Sequence, residues 1–209
     1  MSNVDLNVFL TCLVALSVVL FFVFIIFQSL QQTINYMRIN KTIKNADLIA
    51  DKQLFRQFEV LNHFDEIQLK QADFKDNTTV AIQDSDSIIF DKYYLANLSK
   101  DYDNSLKWIY LVVHEYCHYI TKRNQISFAN IDLELSSKDI STARSKGYDL
   151  KSEIMTDYMA YKVLINYLKD NISEQQFVDL QTYINVEQLQ KLCKDSVLNK
   201  YLIKNMFHI

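Results

Sequence analysis

His114-Glu115-Tyr116-Cys117-His118 sets two imidazoles four positions apart, in a stretch patterned as a helix from about Ser105 to Arg123. Four residues of α-helix turn through about 400°, so the two rings leave almost the same face, one turn apart. A tetrahedral Zn²⁺ takes two nitrogen ligands in this way. Glu115 leaves the helix in another direction and can lean toward a water on the metal and take its proton. Cys117 replaces neither imidazole and reads as a small buried helix residue. The bland alternative is a pair of ordinary core histidines. Trp108 to Val113 make the preceding turns apolar nearly all round, so the helix is expected to be buried on either view.

A third donor separates the two views. Glu153 and Asp157 lie four apart in Ser152-Glu153-Ile154-Met155-Thr156-Asp157-Tyr158-Met159-Ala160, within a second predicted helix from about Leu150 to Leu168. A catalytic zinc site with two His and one carboxylate leaves its fourth position open for water. Glu153 suits that carboxylate. Asp157, on the same face, suits the spare ring N–H of a ligand histidine, whose tautomer it would fix. Exposed carboxylate pairs at this spacing are common in any helix, so the pair gains meaning only from the histidines upstream. Asp149, Asp139 and Glu134 are the candidates that remain if Glu153 faces solvent.

Together the two helices resemble the zincin metallopeptidases, in particular the gluzincin branch, where H-E-x-x-H is followed by a helix bearing E-x-x-x-D. The resemblance implies an α+β zincin-like fold, mostly helical with a small sheet or hairpin before the active-site helix. It makes His114, His118 and Glu153 ligands of Zn²⁺, Glu115 the general base and Asp157 the support of a ligand His. Ala160, three after Asp157, is similar to the E-x-x-A-D-x-x-A form of bacterial and phage members, although Thr156 stands where Ala is usual. The likeness covers about Ser87 to Leu168. The metzincin extension is missing, since Tyr119 to Asn124 hold neither its Gly nor its third His. In zincins an edge strand before the active-site helix pairs with extended substrate, and Ser87 to Phe90 occupy that place in the chain.

The remaining elements must position these groups. Thr78 to Ile82 and Ser87 to Phe90 are β-branched runs flanking Asp84-Ser85-Asp86, the pattern of a hairpin. Asn124 to Asp149 is polar and reads as a loop with a short helix, from which Arg144 and Tyr148 could reach an oxyanion, though solvation at the surface explains them as well. Ser173-Glu174-Gln175-Gln176 has the form of a capping box. The apolar stripe from Phe177 to Leu202 beyond it reads as scaffold. His63 and His208 are isolated polar residues.

Val8 to Phe27 give 20 residues without a charge, enough to span a ~30 Å hydrocarbon core. No basic segment precedes them and no small-residue cleavage site follows, so a transmembrane helix is expected rather than a signal peptide. Arg38, Lys41 and Lys44 follow the span, whereas Asp5 alone precedes it, which places the rest of the chain in the cytoplasm. From Leu30 to about Phe64, apolar residues at near-helical intervals predict one or two amphipathic helices. The chain thus divides into an anchor (1–29), a juxtamembrane helical segment (30–75) and a metallopeptidase-like domain (76–209).

Composition removes other classes. One Gly (Gly147) and no Pro exclude a Gly-rich phosphate loop, and a net charge of −3 without a basic cluster disfavours nucleic acid. Three cysteines (Cys12, Cys117, Cys193) without a C-x-x-C pair make no disulfide framework. The sequence therefore predicts a single-pass, zinc-dependent metalloendopeptidase acting on peptides or proteins near the bilayer. Two alternatives remain: an inactive zincin-fold metal-binding or interaction module, and a helical membrane-associated protein in which the motif is accidental.

Overall fold

The structure is a computed structural model; it describes residues 3–75, 79–98, 104–128, 133, 135–145, 148–168 and the single positions 175, 178, 179 and 181. The capping box that opens at Ser173, the stripe after it, Cys193, His208, Gly147, Glu134 and Thr78 lie outside the described residues.

α1 (Asn3–Lys44) is one helix of 42 residues. From Leu10 to Phe27 its apolar side chains are exposed on every side, and by length and composition it can cross a membrane. The hydroxyls of Ser17 and Thr33 donate to the carbonyls of Leu13 and Ser29, each at 2.9 Å, so neither polar group asks for water.

Beyond α1 the expected helices give way to something else. Residues Gln53–Phe58 and Phe64–Glu66 form 3-10 turns, not α-helix. Phe55, Phe58, Leu61 and Phe64 recur every third residue and are all buried. That rhythm matches a 3-10 turn, in which side chains at i and i+3 eclipse.

Four strands make one sheet: β1 (Asp47–Leu48), β2 (Gln68–Ala72), β3 (Ala81–Asp84) and β4 (Ser87–Asp91), in the order β1-β2-β4-β3. β3 and β4 are the expected hairpin, paired antiparallel from Ala81↔Phe90 to Asp84↔Ser87. Ser85, with φ of 50°, makes its turn. The expectation for Ser87 to Phe90 as an edge strand is corrected. β4 pairs with β2 in parallel on its other side, so β3 holds the edge. Ser87, Ile88, Ile89 and Phe90 are buried in succession, as a strand covered on both faces requires.

α2 (Lys92–Leu98) follows, then α3 (Asn104–Arg123), α4 (Ser137–Ser145) and α5 (Leu150–Leu168). α3 covers the sheet face formed by Leu69, Ile88 and Phe90, and α5 packs on α3 through Met155, Met159 and Leu164. The Trp108 ring meets Phe55 and Phe90 at centroid distances of 5.2 and 5.0 Å. On the opposite face Ala72, Phe74 and Ile89 receive Ile43 and Ala46 from the end of α1 and the loop after it. A hydrogen bond from Arg38 Nη2 to the Phe74 carbonyl, 3.2 Å, fastens the same junction. From Asp47 onward the 30–75 segment thus contributes strands and core to the unit that carries α3. The architecture is mixed α+β.

Candidate metal centre

α3 brings His114 and His118 to one face, and α5 presents Glu153 to them from its first turn. Asp149 caps that turn, accepting from the Lys151 amide at 3.2 Å. The two Nε2 atoms lie 3.1 Å apart. Glu153 Oε2 is 3.3 Å from His114 Nε2, and its Oε1 is 3.5 Å from His118 Nε2. Two donors held about 2.0–2.1 Å from one Zn²⁺ at a tetrahedral angle stand about 3.3 Å apart. All three separations are close to that edge. Each ring faces a different carboxylate oxygen; with one oxygen chosen, the three donor atoms still lie within 4.8 Å of one another.

The far nitrogens are also engaged from α5. His114 Nδ1 is 2.8 Å from Asp157 Oδ1, close enough for an ion pair although the carboxylate lies off the line of the ring N–H. The Tyr110 hydroxyl donates to the same oxygen. His118 Nδ1 lies 3.3 Å from Thr156 Oγ1, at a position with no exposure.

The electrostatics follow from this crowding. Burial disfavours a charged His114, but Asp157, Glu153 and Glu115 outweigh it, and its pKa is pushed up to about 10. Burial opposes ionisation of Glu153 as well, yet its contacts with both imidazoles hold its carboxyl down at about 2. Glu115 is buried, and desolvation raises its carboxyl above the usual range despite the two imidazoles and a hydrogen bond from the Gln83 backbone. An acid lifted in this way keeps its proton more readily, the property wanted of a group that takes and returns one.

Beside His118 opens a cleft of about 600 Å³, lined among others by Gln83, Thr121, Gln125, Phe128, Asp149 and Lys151. The other candidates stand apart from the cluster. Asp149 caps α5, and Asp139 caps α4 with Ser136 at 2.6 Å. Tyr148 is exposed and does not line the cleft; the Arg144 side chain lies outside the described residues. His63 pairs at the surface with Glu66. Cys117 is fully buried, and burial pushes its thiol well above the ordinary range, which suits the inert reading. Sequence reasoning missed Tyr110, Thr156 and Gln83. Tyr110 precedes His114 by four and Thr156 follows Glu153 by three, so helical spacing could have found both; nothing local marks Gln83.

Comparison of the chain with protein-family models, with curated proteins and with solved structures finds no match.

Proposed function

We propose that this protein is a membrane-anchored, zinc-dependent peptidase of the gluzincin type. The observation that carries the reading is the convergence of His114 Nε2, His118 Nε2 and the Glu153 carboxylate at 3.1–3.5 Å, with Glu115 buried in the next direction of the same helix. Bound there, Zn²⁺ would supply Lewis acidity, polarising a carbonyl and acidifying water. Glu115 takes the proton of the attacking water and delivers it to the leaving amine. Asp157 orients His114, and the cleft beside His118 admits the chain to be cut.

Extended substrate would add to β3, not to Ser87–Phe90. With a two-residue turn closing the hairpin, Ile82 and Asp84 pair toward β4, while Ala81 turns its amide and carbonyl, and Gln83 its carbonyl, to the outer edge; the Gln83 amide on that edge is taken by Glu115. Main-chain pairing of this kind gives affinity with little demand on side chains. α1 would anchor the enzyme, and the cations after its apolar stretch would keep the folded part in the cytoplasm, limiting it to peptides and proteins near the bilayer. A module that only binds metal has no use for Glu115, which disfavours the inactive reading.

The test uses the full chain in detergent. Elemental analysis should find about one zinc per chain, and Glu115→Gln should keep that zinc while peptide hydrolysis falls by roughly 10²–10⁴-fold. A folded chain that takes up no zinc would end the enzyme reading; equal hydrolysis by Glu115→Gln would mean that another residue is the base.

A further inference from the structure

We propose that Thr156 is a positioning residue for His118, holding the Nδ1–H of that ring so that Nε2 faces the metal. The inference rests on the metal reading above. Both rings turn Nε2 into the centre and leave Nδ1 for a partner on α5. A neutral imidazole that offers its Nε2 lone pair to a cation must carry its proton on Nδ1, and the group that accepts this proton selects the tautomer. For His114 the neighbour is the Asp157 carboxylate. For His118 it is the Thr156 hydroxyl, 3.3 Å away and sealed from solvent. A hydroxyl oxygen has two lone pairs and can accept the Nδ1–H there.

Glu153, Thr156 and Asp157 occupy positions 0, +3 and +4 of α5, so one helical face supplies a ligand and a partner for each of the other two. The two partners differ in kind. A carboxylate raises the basicity of its ring as well as orienting it, whereas a neutral hydroxyl mainly orients. His118 is therefore the less strongly supported ligand, and it is also the one that borders the cleft. An alanine at this position, the residue usual in the pattern that α5 resembles, could not hold the ring at all.

The experiment compares full-length wild type, Thr156→Val and Thr156→Ser in detergent. Zinc affinity is read by chelator competition, and the His118 tautomer by ring ¹⁵N NMR of the metal-free chain, which has only four histidines. Thr156→Val should weaken zinc binding by about 10-fold and shift the His118 proton away from Nδ1; Thr156→Ser should restore both to near wild type. Unchanged affinity and tautomer in Thr156→Val would overturn the inference while leaving the metal reading intact. Failure of the wild type to bind zinc would strike the metal reading instead, and the tautomer comparison would still decide the role of Thr156. If Thr156→Val does not fold, Thr156→Ala serves in its place, with the same outcomes.

Discussion

The two faces of the sheet do opposite kinds of work with neighbouring residues of one strand. Ile88 and Phe90 of β4 look toward α3, and behind them stand half-buried imidazoles and a half-buried carboxylate in mutual contact. Ile89, between them, looks toward Phe74 and the end of α1, where apolar contacts are joined at the rim by hydrogen bonds of the Phe74 backbone with Arg38 and Asp91. The first face needs every polar group placed to within a fraction of an ångström, because a buried charge without a partner is costly. The second needs only shape and area. Interactions of the first kind should fail all at once, and those of the second by degrees.

If the proposed zinc is bound, replacing His114 by Ala should bring its content from about one per chain to near zero. Phe74→Ala, on the other face, should cost about 3–5 kcal/mol of stability yet leave zinc stoichiometry unchanged while the chain stays folded. Metal analysis together with a denaturant titration reads both. Loss of zinc in the Phe74 variant at a temperature where it is folded would break the contrast.

Next in size, Asp157→Ala should weaken zinc affinity by about 10–100-fold without abolishing it, because the ligand set survives and only its orientation suffers. Competition with a chelator of known affinity measures this, and a change below about twofold would remove Asp157 from the site.

The state of the protons sharpens the same contrast. His114, raised to about 10, lends the metal-free fold stability that is full below its usual 6.5 and is lost as pH rises toward 10. Glu153, lowered to about 2, lends stability that is present above 4.5 and is lost as pH falls toward 2. At neutral pH the cluster without metal therefore holds a proton that a bound zinc would have to displace. Zinc affinity should rise with pH, by up to about tenfold per unit for each proton released. Calorimetry in two buffers of different ionisation heat counts that proton, and identical heats in both would refute its release.

The smallest effect belongs to the outer face. Ile89→Val should cost about 0.5–1.5 kcal/mol and leave zinc affinity untouched. A shift in affinity would show that the faces are coupled through the strand.

Much of the candidate site could be read in the chain because its residues sit on two buried helices, where a 3.6-residue period fixes which side chains share a face. The predicted bounds of Ser105–Arg123 and Leu150–Leu168 lie within a residue of α3 and α5. The sheet was less legible. Strand order is set by contacts far apart in sequence: β2 falls in the segment 30–75, which carries no strand signal, and without it β4 reads as an edge. Ile88-Ile89-Phe90 did carry a hint, since an unbroken apolar run without alternation suits an interior strand. The Phe55-Phe58-Leu61-Phe64 series misleads by its period, three residues being near enough to 3.6 to pass for α-helix over a short stretch. In the sequence Thr156 shows only as a departure from a pattern and its role stays hidden, because its partner lies 38 residues away on another helix.

α1 does not stop where its apolar stretch ends. It runs on for 17 residues past Phe27 without a break, and Arg38 fastens it to the folded part. Ten helical residues, from Gln28 to Met37, span about 15 Å. A flexible linker of 17 residues would let its cargo roam over roughly 20–25 Å in any direction. With the anchor in a bilayer, the cleft would be carried on a strut and would work at one altitude. On the peptidase reading, selectivity would then come partly from elevation: a peptide bond presented at that height would be within reach, and the same sequence a few helical turns higher or lower would not.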